Sequence, residues 1–247
     1  MTLNYRPDPD LDFLGLVTEE QIRGLAGYLT HDKDGQARHT GEILNNEAFK
    51  KLHGDPEQYK KNWKLIAAEL QYFGGDSAVN AVRRSGVLYR EIVGDVAGKM
   101  SVKFTKEHSA ADIERDILAK VFGDSWEKMD PSQQDELRKE VGIDATLAPA
   151  AALSALQIAI RAGGFASYKM ATILAQTIAK LIIGRGLSFA ATGTLMRTIS
   201  MFAGPVGWAF TAATTVPAFT GAAYRVTIPA VIHVAYLRLE HSHQDRF

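Results

Sequence analysis

The sequence predicts an all-α protein: a multi-helix bundle with a hydrophobic, acid-free C-terminal helical half. Three observations carry that expectation. Apolar residues recur at steps of three and four, and no segment before residue 144 shows the period-two alternation of a half-buried strand. Helix start and stop signals punctuate the chain between those segments. Charge is also divided along the chain. Residues 1–144 hold 26 acids and 20 bases, whereas residues 145–239 hold seven bases and no acid.

The elements follow in order. Asn4 to Leu16, with Pro7 and Pro9 ahead of Leu11, Phe13, Leu14 and Leu16, reads as an extended lead-in to a short helix or turn. Thr18 and Gln21 form a capping box for a helix over Glu19–Leu29, with Ile22, Leu25, Ala26 and Leu29 on one face. A polar loop, Thr30 to Arg38, leads to a short helix expected over Gly41–Leu52. Asp55 and Pro56 supply an N-cap and a first helical position. Tyr59, Trp63, Ile66, Leu70 and Phe73 then make one apolar stripe, and Gly74 and Gly75 stop the helix. Short helices are expected over Ser77–Arg84 and Val87–Met100. Ser109 caps Ala110–Lys128, with Ile113, Ile117, Val121 and Phe122 inward, and Asp130-Pro131 begins a polar helix that ends at Gly142.

After Asp144 the texture changes. Leu147–Ala162 is alanine-rich, Gly163 and Gly164 interrupt it, and Phe165–Ile183 and Leu187–Ala203 follow. The longest uncharged run, Thr198 to Tyr224, contains Pro205 and Pro217, so a broken hairpin turning at Gly204 to Gly207 fits it better than one span. Tyr224 to Ile228 alternates and is expected to be extended, with helix restarting at Pro229. This gives three regions: a short helical module over 1–40, a charged helical bundle over 41–144, and the hydrophobic helical region with a polar tail over 145–247.

Seven cations without local counter-charge favour an anionic membrane surface or bilayer, each contributing about 1 kcal/mol near such a surface. Lys169 and Lys180 sit near the ends of an apolar helix, where long side chains reach head-groups. Arg185, Arg197, Trp208 and Phe210 complete the set of candidate membrane contacts, Trp208 as an interfacial anchor. Small residues four apart, Ala159 with Gly163 and Gly186 with Ala190, allow close helix approach. The competing reading buries the same region at the centre of a soluble bundle, with the acidic first half as counter-ion.

Catalytic motifs are missing from the sequence: no nucleophile elbow, phosphate loop or zinc-protease helix appears. Cysteine is absent, which excludes thiolate chemistry and disulfides. Asp32-Lys33-Asp34-Gly35 faintly suggests a calcium loop, but Gly41 stands where the bidentate glutamate belongs, so a polar turn is preferred. His31 and His39, and His241 and His243 with Glu240 and Asp245, read as loop and tail. No catalytic residue, metal or cofactor is expected, and unfamiliar carboxylate or histidine chemistry stays open. Basic residues are not interleaved with aromatics, so no nucleic-acid partner is expected. The acidic start, Met1 to Asp12, is unlike a signal peptide and predicts a cytoplasmic chain, peripheral to or inserted in the inner membrane. An oligomer is compatible with all of this.

Several blocks resemble a known family. Asn62 to Ser77 (NWKLIAAELQYFGGDS), Leu88 to Ile92, Asp95-Val96, the opening Tyr5 to Leu14 and the late Ala223 to Val231 resemble the uncharacterised bacterial YaaW-like family. The resemblance implies a fold but no established activity. Trp63, Glu69, Gly74, Gly75, Asp76, Tyr89, Tyr224, Arg225 and Pro229 lie in these blocks, and their implied use is structural. Roughly residues 45 to 140 are more distantly similar to the ubiquinol–cytochrome c chaperone family, and the acid-free half falls outside that likeness. This implies a non-enzymatic helical protein that associates with membranes and binds or helps assemble a membrane partner. A pore-type effector kept soluble before insertion, and a soluble helical protein of another activity, remain alternatives.

Overall fold

The structure is a computed structural model that describes residues 3–31, 42–73, 86–144, 146–183, 199, 203–207 and 221–244. Among these there are ten α-helices with both ends described, further helical residues at 199 and 203–207, one short 3-10 helix and no strand. The all-α expectation therefore holds. The helices are α1 (Glu19–Thr30), α2 (Glu47–Lys51), α3 (Gln58–Lys61), α4 (Trp63–Phe73), α5 (Tyr89–Lys99), α6 (Ala110–Trp126), α7 (Pro131–Val141), α8 (Pro149–Arg161), α9 (Phe165–Ile183) and α10 (Gly221–Gln244), with the 3-10 helix at Asp12–Gly15.

Local signals set several of the ends. Thr18 with Gln21 and Ser109 with Asp112 both close capping boxes, each satisfying two backbone N–H groups that the first helical turn leaves free. Asp130 accepts from the Gln133 N–H with Pro131 behind it, and Gly142 ends α7 at φ +72°, a conformation glycine adopts without Cβ strain. Phe165–Ile183 is helical as expected, and Leu147–Ala162 shortens to α8.

Four expectations fail. The stripe from Tyr59 to Phe73 is split into α3 and α4, because the buried Asn62 turns its amide back to the Gln58 carbonyl at 2.8 Å and interrupts the ladder. Asp55 is not the cap of a long helix; its carboxylate accepts from the Glu57 N–H and pairs with Lys61. Tyr224 to Ile228 is not extended but lies within α10, which runs straight through Pro229. Proline forfeits one helix hydrogen bond, to the carbonyl of Arg225 four residues back, and Arg225 is an exposed residue. Residues 203–207, where the hairpin was expected to turn, are helical, with Val206 buried.

The core is a single cluster drawn from Leu11 through Leu237. Its centre is α10 against α9. Every residue from Val226 to Leu237 and from Ala171 to Ala179 is buried, the mark of helices surrounded by protein on all sides. Around α10 stand α1, α4, α5 and α6, and α8 lies across α6 and α9. Residues Gly74, Gly75, Asp76, Arg185, Arg197, Trp208 and Phe210, the helix expected over Ser77–Arg84 and the loop with Asp32 to Gly35 lie outside the described residues.

Because α7 buries Leu137 and Arg138, fraying of its first turn reaches the core. Asp130→Ala is expected to cost about 1 kcal/mol and to lower the thermal midpoint by about 2–4 °C, read by calorimetry.

Candidate functional site

The polar chemistry of the interior converges on Arg238. This guanidinium, on α10, donates from Nε to Glu114 Oε2 at 2.8 Å and from Nη2 to Oε1 at 3.1 Å, and Glu114, on α6, is 2% exposed. Nη2 also donates to the Asp10 carbonyl at 2.7 Å, and the group stacks 4.6 Å from the Phe13 ring centroid. Tyr89, the first residue of α5, donates its hydroxyl to Glu114 Oε1 at 2.8 Å. Burial by itself would lower the Arg238 pKa; the facing Glu114 charge and its hydrogen bonds outweigh that and hold the guanidinium firmly charged. Burial, then the Glu114 charge, pushes the Tyr89 hydroxyl well up, so it remains a donor.

The N-terminal strap completes the cluster. Asp8 accepts from the Tyr89 N–H at 2.6 Å, so a carboxylate 81 residues away caps α5, where Leu88 offers no side-chain cap. Gln71 on α4 grips the strap by both of its amide atoms, accepting from the Arg6 N–H at 3.0 Å and donating to the Arg6 carbonyl at 2.9 Å. The N-terminal segment, α4, α5, α6 and α10 are thus tied through one set of polar contacts.

A second polar point lies between α1 and α10. His233 is fully buried, its Nε2 is 3.1 Å from the Gln21 carbonyl, and the rings of Tyr28 and Tyr236 meet it edge-on. His233 Nδ1 and the Tyr28 hydroxyl are buried with no hydrogen-bond partner among the described residues. Burial pulls His233 down to about 4, partly offset by Gln21. A third lies at Glu69, whose two oxygens accept from the Glu42 N–H at 3.1 and 3.2 Å; burial pushes it up to about 7 against that bond.

The expected membrane contacts are placed as follows. Lys169 donates to Glu140 Oε1 at 2.9 Å and to its backbone carbonyl at 2.7 Å, beside the Phe165 ring. Lys180 is half-buried near the end of α9, with no acid partner among the described residues. Arg161 pairs with Asp116 at 2.7 Å. Among the described residues no single helix is long and apolar enough to cross a membrane; α8 and α9 qualify only together and are bent by 97°. The bend falls at Gly163, φ +73°, next to the Arg115 side chain.

The resemblance residues are mostly packing groups. Trp63 meets Tyr5 edge-on at 5.3 Å and presses on Gly15; Tyr224 carries Lys99 over its ring at 5.4 Å; Pro229 is buried in α10; Arg225 is exposed. Trp126 is buried, with the Arg138 guanidinium 5.6 Å from its ring. His241 stacks on Phe13 and His243 on Tyr168, and no group of three metal-binding side chains occurs among the described residues. The sequence reading missed Asp8, Gln71, Glu114, Arg238 and His233. One signal was available: Glu114 begins a buried stripe continued by Leu118 and Val121, a charge at an apolar position.

Two outcomes are expected. Glu114→Gln strands a buried guanidinium and should cost about 3–5 kcal/mol. Arg238→Met should cost a similar amount, and joining the two should cost less than their sum, checked by a double-mutant cycle in urea. For His233 the unfolded chain takes up a proton near pH 6.5 and the folded chain only near 4, so stability present above 6.5 is lost as pH falls towards 4. The loss is up to about 3 kcal/mol. Glu69 works in the opposite sense between about 4.5 and 7, so the reading is the difference between wild type and His233→Gln.

The family model for a domain of unknown function (DUF3944) matches residues 5–39, the strap and α1. The model described as "Ubiquinol-cytochrome C chaperone" matches residues 58–232. That match corrects the boundary read from sequence: the likeness continues through α8 and α9 and into α10 rather than stopping near residue 140. A UPF0174 protein of Helicobacter pylori (strain J99) is 40% identical over 238 residues, 96% of this chain and 93% of the relative. The UPF0174 protein YaaW of Escherichia coli (strain K12) is 39% identical over 243 residues, 96% and 97% of the two chains. No solved structure matches. The chain belongs to the UPF0174 family and, over residues 58–232, to the ubiquinol–cytochrome C chaperone family.

Proposed function

We propose that this chain is a non-catalytic, chaperone-like helical protein that associates with the cytoplasmic face of the inner membrane and binds or helps assemble a protein partner there. The observation that carries the reading is the match of residues 58–232 to a chaperone family, spanning both the charged bundle and the acid-free helices. The interior supports it. Glu114, Arg238, Tyr89, Asp8 and Gln71 are bonded to one another within the core, which suits a rigid scaffold. The surface supports it too, since α8 presents an outer side without charge between Thr146 and Ile160.

Cell fractionation with in vivo cross-linking tests the proposal. The expected result is recovery of a substantial share with membranes, and a reproducible cross-link to a membrane protein. Recovery wholly in the soluble fraction, with no such cross-link, overturns it. Dye-loaded vesicles separate this reading from the pore-type alternative: a membrane-associated chaperone leaves them intact, and a pore empties them.

A further inference from the structure

The surface of α8 departs from an ordinary bundle helix. Its inner side, Ala152, Leu156 and Ile160, is buried. Its outer side repeats at steps of four, three and four through Ala151, Ala155, Ile158 and Ala162, and only Ala155 among them is even half-buried. Ile158 is 67% exposed, and Phe165, just past the bend, is 56% exposed. A soluble helix normally sets charged side chains on that side; here the first charge after Asp144 is Arg161.

The surroundings indicate what covers this side. Phe165, Tyr168 and His243 form a ring cluster with centroids 5.3–6.4 Å apart at the bend, the kind of aromatic rim found at membrane–water boundaries. Arg161 and Lys169 flank it, Arg161 with half its side-chain surface open. Asp116 and Glu140, which reach the bend from the first half, are held by Arg161 and Lys169, and Glu240, behind the ring cluster, is turned inward against Tyr236 and Tyr168. An uncharged stripe with an aromatic and cationic rim fits a lipid surface.

We infer that the α8–α9 bend is the membrane-docking surface. On this inference α8 lies in the plane of an anionic leaflet, Ile158 and Phe165 enter the acyl boundary, and Arg161 stays at head-group level. This is the geometry of an in-plane helix whose opposite side is covered by protein rather than water. The inference rests on the membrane association proposed above and names its surface. It leaves the buried pair α9 and α10 in place, so docking needs no unfolding.

The test is binding of the full-length chain to phosphatidylglycerol–phosphatidylcholine vesicles by co-sedimentation, comparing wild type with Ile158→Glu, Phe165→Ser and Leu16→Ser. Leu16, 68% exposed on the strap, is the control for loss of any exposed apolar side chain. All three positions are at the surface, and thermal midpoints report whether folding is retained. Expected is a loss of about tenfold or more in partitioning for Ile158→Glu and Phe165→Ser, with Leu16→Ser binding as wild type. Wild-type binding that survives both substitutions, or falls equally with Leu16→Ser, overturns this surface while leaving membrane association standing. A wild-type chain that binds no vesicle overturns the surface, and overturns membrane association as well if the chain also fractionates as soluble.

Discussion

The pairing of Glu114 with Arg238 is the constraint on which the rest of the structure depends. Both groups are largely removed from water, and a charge so placed is tolerated only with a partner of opposite sign and its hydrogen bonds made. That requirement fixes α10 against α6 at one rotation. The same two groups engage Tyr89 and the Asp10 carbonyl, so α5 and the strap are placed by the same condition. Apolar packing alone would hold these helices together with far less preference for one register, because aliphatic contacts are not directional.

The uneven charge along the chain has a structural counterpart in these contacts. Arg161, Lys169 and Arg238 of the acid-free stretch find Asp116, Glu140 and Glu114 on α6 and α7. They differ in consequence. Arg161 is half open to water, where such a pair contributes at most about 1 kcal/mol, whereas Arg238 is enclosed and its pairing is obligatory. Three of the seven cations are thus answered between elements of one core, and the uncharged outer side of α8 is what the core leaves uncovered.

Burial divides the acid-free helices into two kinds. Residues 171–179 of α9 and 226–237 of α10 are enclosed on all sides. α8 is enclosed on one side only, and the bend at Gly163 turns it away from the direction of α9. A continuous apolar stretch in sequence is therefore two different surfaces in space.

Local chemistry was legible from residues alone. The capping boxes at Thr18 and Ser109, the Asp130-Pro131 start, the glycine stop at 142, the span of α9 and the all-α class follow from interactions within a few positions. Where a neighbour distant in sequence intervened, that reading failed. Pro229 sits inside a helix because packing around Val226 to Leu237 outweighs its missing N–H, and Asn62 breaks a stripe whose periodicity ran on unbroken. The polar cluster was hidden for the same reason: Asp8, Gln71 and Arg238 are each ordinary in their own segments, Glu114 alone interrupts an apolar stripe, and the four become a site only when packing removes water from all of them at once. By itself the sequence determined the all-α class and the capped helix ends, through short-range capping and periodicity. Only the tertiary structure decided which apolar helices are enclosed and which cations are paired, because desolvation depends on neighbours that no local pattern encodes.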